Sequence, residues 1–567
     1  MGDEMTRIFD GAFGTYFAEI GGDCLPCEAA NLSAPESVRA VHREYRAAGA
    51  DCLLTNTFAA NPDVFPNADE LSAVIRAGYA LAREESAGAR VFASIGPIAG
   101  DGEYARVAFY FLSAGADAFM FETLPDLTGI AEAARQIKSV RPDATVSVSF
   151  AVGPDGTSRT GADFRQLVLA AADCPHVDIV GLNCVCGPTH MLKMAPALAG
   201  VRKPLCLRPN AGYSAARGGA TGFTQNADYF AARLAELAAL PVMKNGYVGG
   251  CCGTTPAHIR GVVRAIAAGA GSPGWRRTGR VRAPGAARLP SKPIAVELDP
   301  PSDADISPLI SGANRLKACG ATTITLSDSP LARSRADSFL TAVKLKAETS
   351  MDVLPHITCR DRNLNAVRGA VLGASFFGVN KVLCVTGDPS SFADARNLRD
   401  VYHFSSADMI RFVGELNAGA LSRRPVTIGA ALNVNAANFD AELRRAKRKA
   451  DGGATMFFTQ PIFSERGAAN LRAAKEELGV MIFAGIMPVA GYRNALFLAN
   501  EVPGIEIPDR LIASLEGLSR DAALDISLAY AAETVAECCD DASGFYLMTP
   551  IRRVDLIEGL IGRCFDV

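Results

Sequence analysis

One pattern constrains this chain more than any other. Short apolar runs alternate with longer stretches of helical periodicity, eight times over, then a break, then eight times again. In the first half the runs are Ile8–Asp10, Cys52–Phe58, Val91–Pro97, Ala118–Thr123, Thr145–Phe150, Ile179–Cys184, Pro204–Asn210 and Met243–Cys252. In the second they are Ala295–Leu298, Thr322–Ser327, Val353–Cys359, Lys381–Thr386, Thr427–Asn433, Thr455–Gln460, Val480–Ile486 and Gly544–Thr549. Eight βα units of about 30 residues each make a closed (β/α)8 barrel of about 250 residues, so the pattern predicts two TIM barrels in tandem. An open doubly wound sheet is the alternative, but no G-x-G-x-x-G follows a first strand in either half. Between the helices and strands the local signals agree. Ser33-Ala-Pro-Glu36 reads as a capping box, Val38, Val41, Tyr45 and Ala48 mark one apolar helix face, and Gly49 ends it.

The break lies in GAGSPGWRRTGRVRAPGAARLPSKP, residues 269–293, which holds six basic residues, no acid and no apolar period. It reads as a Gly/Pro/Arg-rich linker, giving domains at 1–272 and 293–567 with residues 273–292 between them. At 567 residues the chain is too long for one hydrophobic core, which agrees with two domains. A net charge of −3 gives no electrostatic reason to expect nucleic acid or an anionic membrane as partner. With no leader pattern and no long apolar run, a cytoplasmic location is expected. The fifteen cysteines are then free thiols rather than a disulfide framework, and those in apolar surroundings (Cys52, Cys206, Cys319, Cys384, Cys564) act as small hydrophobes.

The barrel assumption directs polar residues at strand ends toward one shared mouth. In the first half, Cys184 closes the sixth strand, and Cys251 and Cys252 close the eighth within Gly249-Gly-Cys-Cys-Gly253. These strands are near neighbours in a barrel, so the three sulfurs can converge. A zinc ion with three protein ligands keeps its fourth position open for a substrate thiol, which it deprotonates at neutral pH. The alternative is a chance pair in a glycine-rich turn. Cys24-x-x-Cys27 and Cys184-x-Cys186 have ligand-like spacing too, though a lone C-x-x-C lacks its second half.

Several motifs of this half resemble the homocysteine S-methyltransferase family: Asp10-Gly-Ala-Phe-Gly-Thr15, Ala30-Asn-Leu-Ser33, Thr55-Asn-Thr-Phe58, Glu122-Thr123, Gly181-Leu-Asn-Cys184 and Gly249-Gly-Cys-Cys-Gly-Thr-Thr-Pro256. The resemblance implies that Cys184, Cys251 and Cys252 hold Zn2+, which binds the homocysteine sulfur. It implies also that Asp10 and Glu122 hold the substrate amino group, while the Gly11–Thr15 turn offers backbone N–H groups to its carboxylate.

The strand ends of the second half carry Glu297, Ser327, His356, Asp388 and Gln460 instead of a thiol cluster. Together with Val296-Glu-Leu-Asp-Pro-Pro301, Pro355-His-Ile-Thr-Cys-Arg-Asp361, Thr386-Gly-Asp-Pro389, the helix from Leu443 to Asp451 and Gly485-Ile-Met-Pro488, they resemble the methylenetetrahydrofolate reductase family. That resemblance implies FAD, with NADH or NADPH as reductant, and hydride transfer to the folate one-carbon unit. It makes Glu297 the general acid and Asp388 a residue between pterin and flavin. Gln460 and Tyr492 fall at folate-binding positions, and Ser327, His356, Arg448 and Lys449 at flavin contacts. The sequence departs from the family pattern at Thr386, at Tyr492, and in the last strand, where Thr549-Pro-Ile-Arg-Arg replaces an Asn-Arg ending.

A bifunctional enzyme of one-carbon metabolism and methionine biosynthesis is therefore expected. One barrel reduces methylenetetrahydrofolate to methyltetrahydrofolate and the other methylates homocysteine. No cobalamin-binding domain follows the first barrel, so a sulfonium donor or a corrinoid partner protein is expected to supply the methyl group. Barrel enzymes often self-associate, but no residue pattern here marks a dimer face. The competing readings are a methyltransferase whose second barrel is a non-catalytic folate-binding or interaction module, and a reductase whose thiols form a structural or redox site.

Overall fold

The computed structural model describes residues 6–22, 26–100, 102–217, 220–223, 226–269, 292–388, 401–502, 504–549 and 553–565. The chain divides into two compact units, with the boundary at residues 274 and 275. The linker expected at 273–292 lies outside the described residues except for Lys292, as does Cys24.

The first unit contains β1 (Arg7–Ile8), β2 (Cys52–Leu54), β3 (Arg90–Ile95), β4 (Ala118–Leu124), β5 (Thr145–Phe150), β6 (Ile179–Asn183), β7 (Leu205–Arg208), β8 (Ser214–Arg217), β9 (Ala220–Phe223) and β10 (Tyr247–Val248). Eight of these pair in the order β1-β10-β7-β6-β5-β4-β3-β2, all in parallel. A parallel bridge from Phe9 to Cys52 closes the ring. β8 and β9 form an antiparallel hairpin that sequence periodicity did not anticipate. The eighth barrel strand is also shorter than expected, because Pro241–Met243 is a 3-10 turn and only Tyr247 and Val248 pair.

The second unit is a closed parallel barrel of β11 (Ile294–Leu298), β12 (Thr323–Leu326), β13 (Asp352–Thr358), β14 (Lys381–Val385), β15 (Thr427–Leu432), β16 (Met456–Pro461), β17 (Met481–Ile486) and β18 (Gly544–Met548). Helices separate successive barrel strands in both units, so the expected tandem TIM barrels are present. No helix among the described residues is long and apolar enough to cross a membrane.

Period-2 alternation decides what each strand offers to the barrel interior. In the first barrel an inner cluster of Phe9, Phe92, Met120, Ile179, Cys206 and Tyr247 fills the lower interior. The next inward positions toward the strand C-termini are Ser94, Glu122, Asn183 and Arg208, a polar layer directly above that plug. In the second barrel the inner plug includes Leu354, Leu383, Phe458, Phe483 and Tyr546. Phe458 and Phe483 stack at 4.8 Å, with Tyr546 edge-on to Phe458 at 5.3 Å. Glu297 and His356 take inward positions above it.

The helix Pro35–Ala47 buries Val38, Val41, Tyr45 and Ala48 as expected, and Gly49 follows at φ +100°. Its capping box is not formed. Ala34 is the N-cap with no side-chain cap, and Ser33 Oγ donates back to the Ala29 carbonyl at 3.1 Å. The reason is local: residues 30–33 already form a helical turn, so Ser33 ends one helix instead of starting the next.

Candidate functional sites

The sulfurs of Cys184, Cys251 and Cys252 lie within 4.8 Å of one another at the first barrel mouth, with Cys184 and Cys252 at 3.6 Å. A tetrahedral zinc with bonds of about 2.3 Å would set its thiolates about 3.8 Å apart, so the trio is spaced for one ion. Among the described residues, no other cluster of metal-ligating side chains meets that spacing.

The backbone is bent to achieve this. Alternation would turn Cys184 away from the interior once Asn183 points in, but Cys184 and Val185 both adopt left-handed φ, at 63° and 62°. The chain leaves β6 abruptly, and consecutive side chains reach the same mouth. Such a conformation costs on the order of 1–3 kcal/mol per residue in a non-glycine, and such strain gathers at functional sites. Cys251 and Cys252 sit in a turn held from both sides. The Cys251 N–H donates to the Pro209 carbonyl at 2.8 Å, and Thr254 Oγ1 donates to the Cys251 carbonyl at 2.7 Å. Gly253 has φ +78°, and a Cβ there would stand 2.3 Å from the ring of Phe223. The hairpin thus packs an aromatic ring against the glycine beside Cys252, where no side chain fits.

Beneath the thiols, Glu122 is buried and fully engaged. Ser94 Oγ donates to its Oε1 at 2.5 Å, while Arg208 and Asn183 donate to Oε2 at 2.5 and 3.3 Å. Arg208 is only 1% exposed and also lies over the Phe9 ring at 5.3 Å. Asn183 links the layers, since its amide nitrogen also reaches Cys251 Sγ at 3.8 Å. Hydrogen bonds from the neighbouring thiols, with the positive charge of Arg208 adding to them, hold Cys251 well below the ordinary thiol range.

Asp10 differs from Glu122. The Leu54 N–H donates to Oδ2 at 2.8 Å, yet Oδ1 is buried without a partner. Burial pushes the Asp10 carboxyl up to about 8. The adjoining turn is built tightly: a Cβ on Gly11 would meet Thr254 Oγ1 at 2.5 Å, and the Ala12 N–H already donates to that oxygen at 3.0 Å. Thr15 Oγ1 accepts from the Gly253 N–H at 3.0 Å, tying the first loop to the cysteine turn. Asp10, Gly11, Thr15 and Glu122 are therefore gathered around the three thiols. Arg208 and Asn183 were missed, although a polar residue closing an apolar strand, as in Leu205-Cys-Leu-Arg208, is the kind of signal that singled out Cys184 and Glu297.

At the second barrel mouth, Tyr546 donates its phenol O–H to Glu297 Oε2. Burial, reinforced by Asp299 and Asp388, pushes the Glu297 carboxyl up to about 7, against the pull of the Tyr546 hydrogen bond. His356 Nε2 stands 4.0 Å from the same carboxylate. This is no ion pair, because burial pulls the imidazole down to about 3 and leaves it neutral. Its Nε2 has no hydrogen-bond partner among the described residues.

Ser327 Oγ donates to Asp299 Oδ1 at 2.5 Å. Asp388 follows Gly387, which has to be glycine on two counts: its φ is +86°, and a Cβ there would stand 2.9 Å from the Thr358 side chain. The Asp388 carbonyl accepts from Arg360 at 3.0 Å. Gln460 is exposed where the β16 register shifts, and Tyr492 opens the helix Tyr492–Glu501. Arg448 and Lys449 lie in the last turn of the helix Phe439–Asp451. Lys449 Nζ donates to the Ala431 carbonyl at 2.8 Å, which ties that helix to its strand. Tyr546, the partner of the central acid, was missed; in a strand read from Gly544, alternation alone puts it inside the barrel.

Residues 7–266 match the family model described as homocysteine S-methyltransferase, and residues 287–558 the one described as methylenetetrahydrofolate reductase. The methionine synthase of Mycobacterium tuberculosis is 34% identical over 271 residues, which is 42% of this chain and 22% of that protein. The homocysteine S-methyltransferase of Escherichia coli is 30% identical over 297 residues, covering 44% of this chain and 92% of that one. The apo structure of the homocysteine methyltransferase MmuM from Escherichia coli covers 46% of this chain and 95% of its own, with 27% identity and a TM-score of 0.37. The match thus spans less than a quarter of the length of the mycobacterial methionine synthases, at 22% and 24%.

Proposed function

The chain belongs to the homocysteine S-methyltransferase family, with a methylenetetrahydrofolate reductase domain in tandem behind it, and from that premise we propose that it carries both activities. In this reading the first barrel methylates homocysteine and the second reduces methylenetetrahydrofolate. The observation that carries the first activity is the convergence of three strand-end thiols.

Cys184, Cys251 and Cys252 would hold zinc, which when bound lowers the pKa of a thiol in its open position. The protein supplies the rest. Asp10 Oδ1 is the unpartnered acceptor suited to the substrate ammonium, whose charge would bring the Asp10 carboxyl down and ionise it. Glu122 has its oxygens occupied by Ser94, Asn183 and Arg208, so its contribution is a fixed negative charge below the substrate. Asn183 orients the Cys251 sulfur from behind.

A flavin fits the second mouth on its donor set, including the unpartnered His356 Nε2, and when bound it would supply hydride. Ser327, His356, Asp388, Arg448 and Lys449 would contact it, with Gln460 and Tyr492 on the folate side. Glu297 is the group placed to move a proton. With Oε2 accepting from Tyr546, its proton resides on Oε1, and a pKa of about 7 keeps the acid available near neutral pH. His356 stays neutral and does not compete for that charge.

The test is anaerobic. The purified full chain should show flavin absorbance that NADH or NADPH bleaches and methylenetetrahydrofolate restores. Cys252→Ser should abolish methionine formation while leaving that cycle and the fold intact. Bleaching without restoration would remove the reductase reading. A Cys252→Ser variant that unfolds the first barrel would mark a structural site instead.

A further inference from the structure

The loops that leave β12 and β13 carry four arginines, and two of them have no acidic partner among the described residues. Arg360 is bound to Asp361, and its guanidinium also donates to the carbonyls of Ser329 and Asp388 at 3.3 and 3.0 Å. Arg362 pairs with Asp328 and, at 3.1 Å, with Asp337. Those pairings use every carboxylate that the two loops carry: Asp328, Asp337 and Asp361. Arg333 and Arg335 lie on the same mouth-side loop. Arg333 Nη2 and Arg335 Nε are both buried, and neither has a hydrogen-bond partner among the described residues.

The loop is held in place rather than free to satisfy itself. Asp328 accepts from the Thr358 N–H at 2.9 Å, and the Ala336 N–H donates to the Pro301 carbonyl at 2.9 Å, so both neighbouring strand exits anchor it. Ser329 and Ala332 are in left-handed conformations, at φ 49° and 56°, immediately before Arg333. Both side chains are half-buried, each with one shielded and unpartnered guanidinium nitrogen, and a tetrahedral oxyanion offers several acceptors to such donors.

We propose that Arg333 and Arg335 form a phosphate subsite at the mouth of the second barrel, for a phosphate carried by a dinucleotide. The inference rests on the reading of this barrel as a flavin- and nicotinamide-using reductase. Two sources carry the chemistry: the pyrophosphate of FAD, and the 2′-phosphate that distinguishes NADPH from NADH.

The experiment uses the full chain and Arg333→Gln/Arg335→Gln, freed of flavin. FAD and riboflavin binding are compared by fluorescence quenching, and NADPH and NADH by their KM on flavin-loaded protein. A loss of tenfold or more for FAD with riboflavin unchanged assigns the pyrophosphate. A tenfold rise in KM for NADPH alone assigns the 2′-phosphate. Either result should weaken with added salt in the wild type more than in the variant. Arg333→Lys/Arg335→Lys, which keeps the charge and loses the fork, should recover part of the affinity and guards against a folding defect. Changes below twofold in both comparisons overturn the subsite while leaving the reductase reading intact. A wild-type chain that binds neither flavin nor dinucleotide overturns that reading, and the subsite with it.

Discussion

Replacing Tyr546 by phenylalanine removes one hydrogen bond from Glu297 and leaves the ring in place. The phenol O–H donates to the charged carboxylate, so it favours ionisation and pulls the pKa down, while burial and the Asp299 and Asp388 charges push it up to about 7. Losing the bond therefore raises the pKa. A hydrogen bond to a charged group is worth about 1.5–3 kcal/mol, and at about 1.4 kcal/mol per unit the shift is roughly 1–2 units. At pH 8 the protonated fraction would rise from about a tenth to between half and nine-tenths. The assay is stopped-flow reoxidation of the reduced protein by methylenetetrahydrofolate, followed from about pH 6 to about pH 9.5. The alkaline limb of Tyr546→Phe should move up by roughly 1–2 units, with a lower plateau because a weaker acid transfers its proton more slowly. An unmoved limb, or one that moves to lower pH, would refute the assignment of Tyr546 as the group that sets the acidity of Glu297.

Glu297→Gln cannot donate a proton, so reoxidation by the folate should fall by about 10²–10⁴-fold while bleaching by NADH or NADPH persists; equal loss in both half-reactions would contradict the role. Arg208→Met leaves Glu122 as a buried, unpaired charge and should cost the first barrel about 3–5 kcal/mol, read from hydrogen exchange at β4 and β7 in urea. A cost below about 1 kcal/mol would mean water already compensates Glu122. Gly253→Ala places a Cβ 2.3 Å from the Phe223 ring at a left-handed φ, so Cys252 must shift and zinc affinity should drop by about 10–100-fold in a chelator competition. Unchanged affinity would show that the turn does not position Cys252.

The barrels were legible because a parallel strand covered on both faces writes a continuous apolar run, and all sixteen barrel strands were placed within a few residues. Residues that end such runs in polar chemistry were legible for the same reason, which is how Cys184 and Glu297 were found, whereas Asp10 and Glu122 came from the family resemblance. Three kinds of feature were not. The hairpin β8–β9 has no periodic apolar face, and its packing on Gly253 depends on contacts distant in sequence. Arg208 and Tyr546 act through partners 86 and 249 positions away, so local pattern can put each inside its barrel but cannot name the carboxylate it serves. The left-handed turn at Cys184–Val185 uses non-glycine residues, which announce nothing in sequence, yet it is what brings the first sulfur into the cluster.

Zinc K-edge X-ray absorption of the full chain, with and without homocysteine, tests the open three-thiolate site most directly. The free protein should show three sulfurs at about 2.3 Å with one lighter atom, becoming four sulfurs when homocysteine is added. A closed four-sulfur shell before substrate, or a shell that homocysteine leaves unchanged, would contradict it.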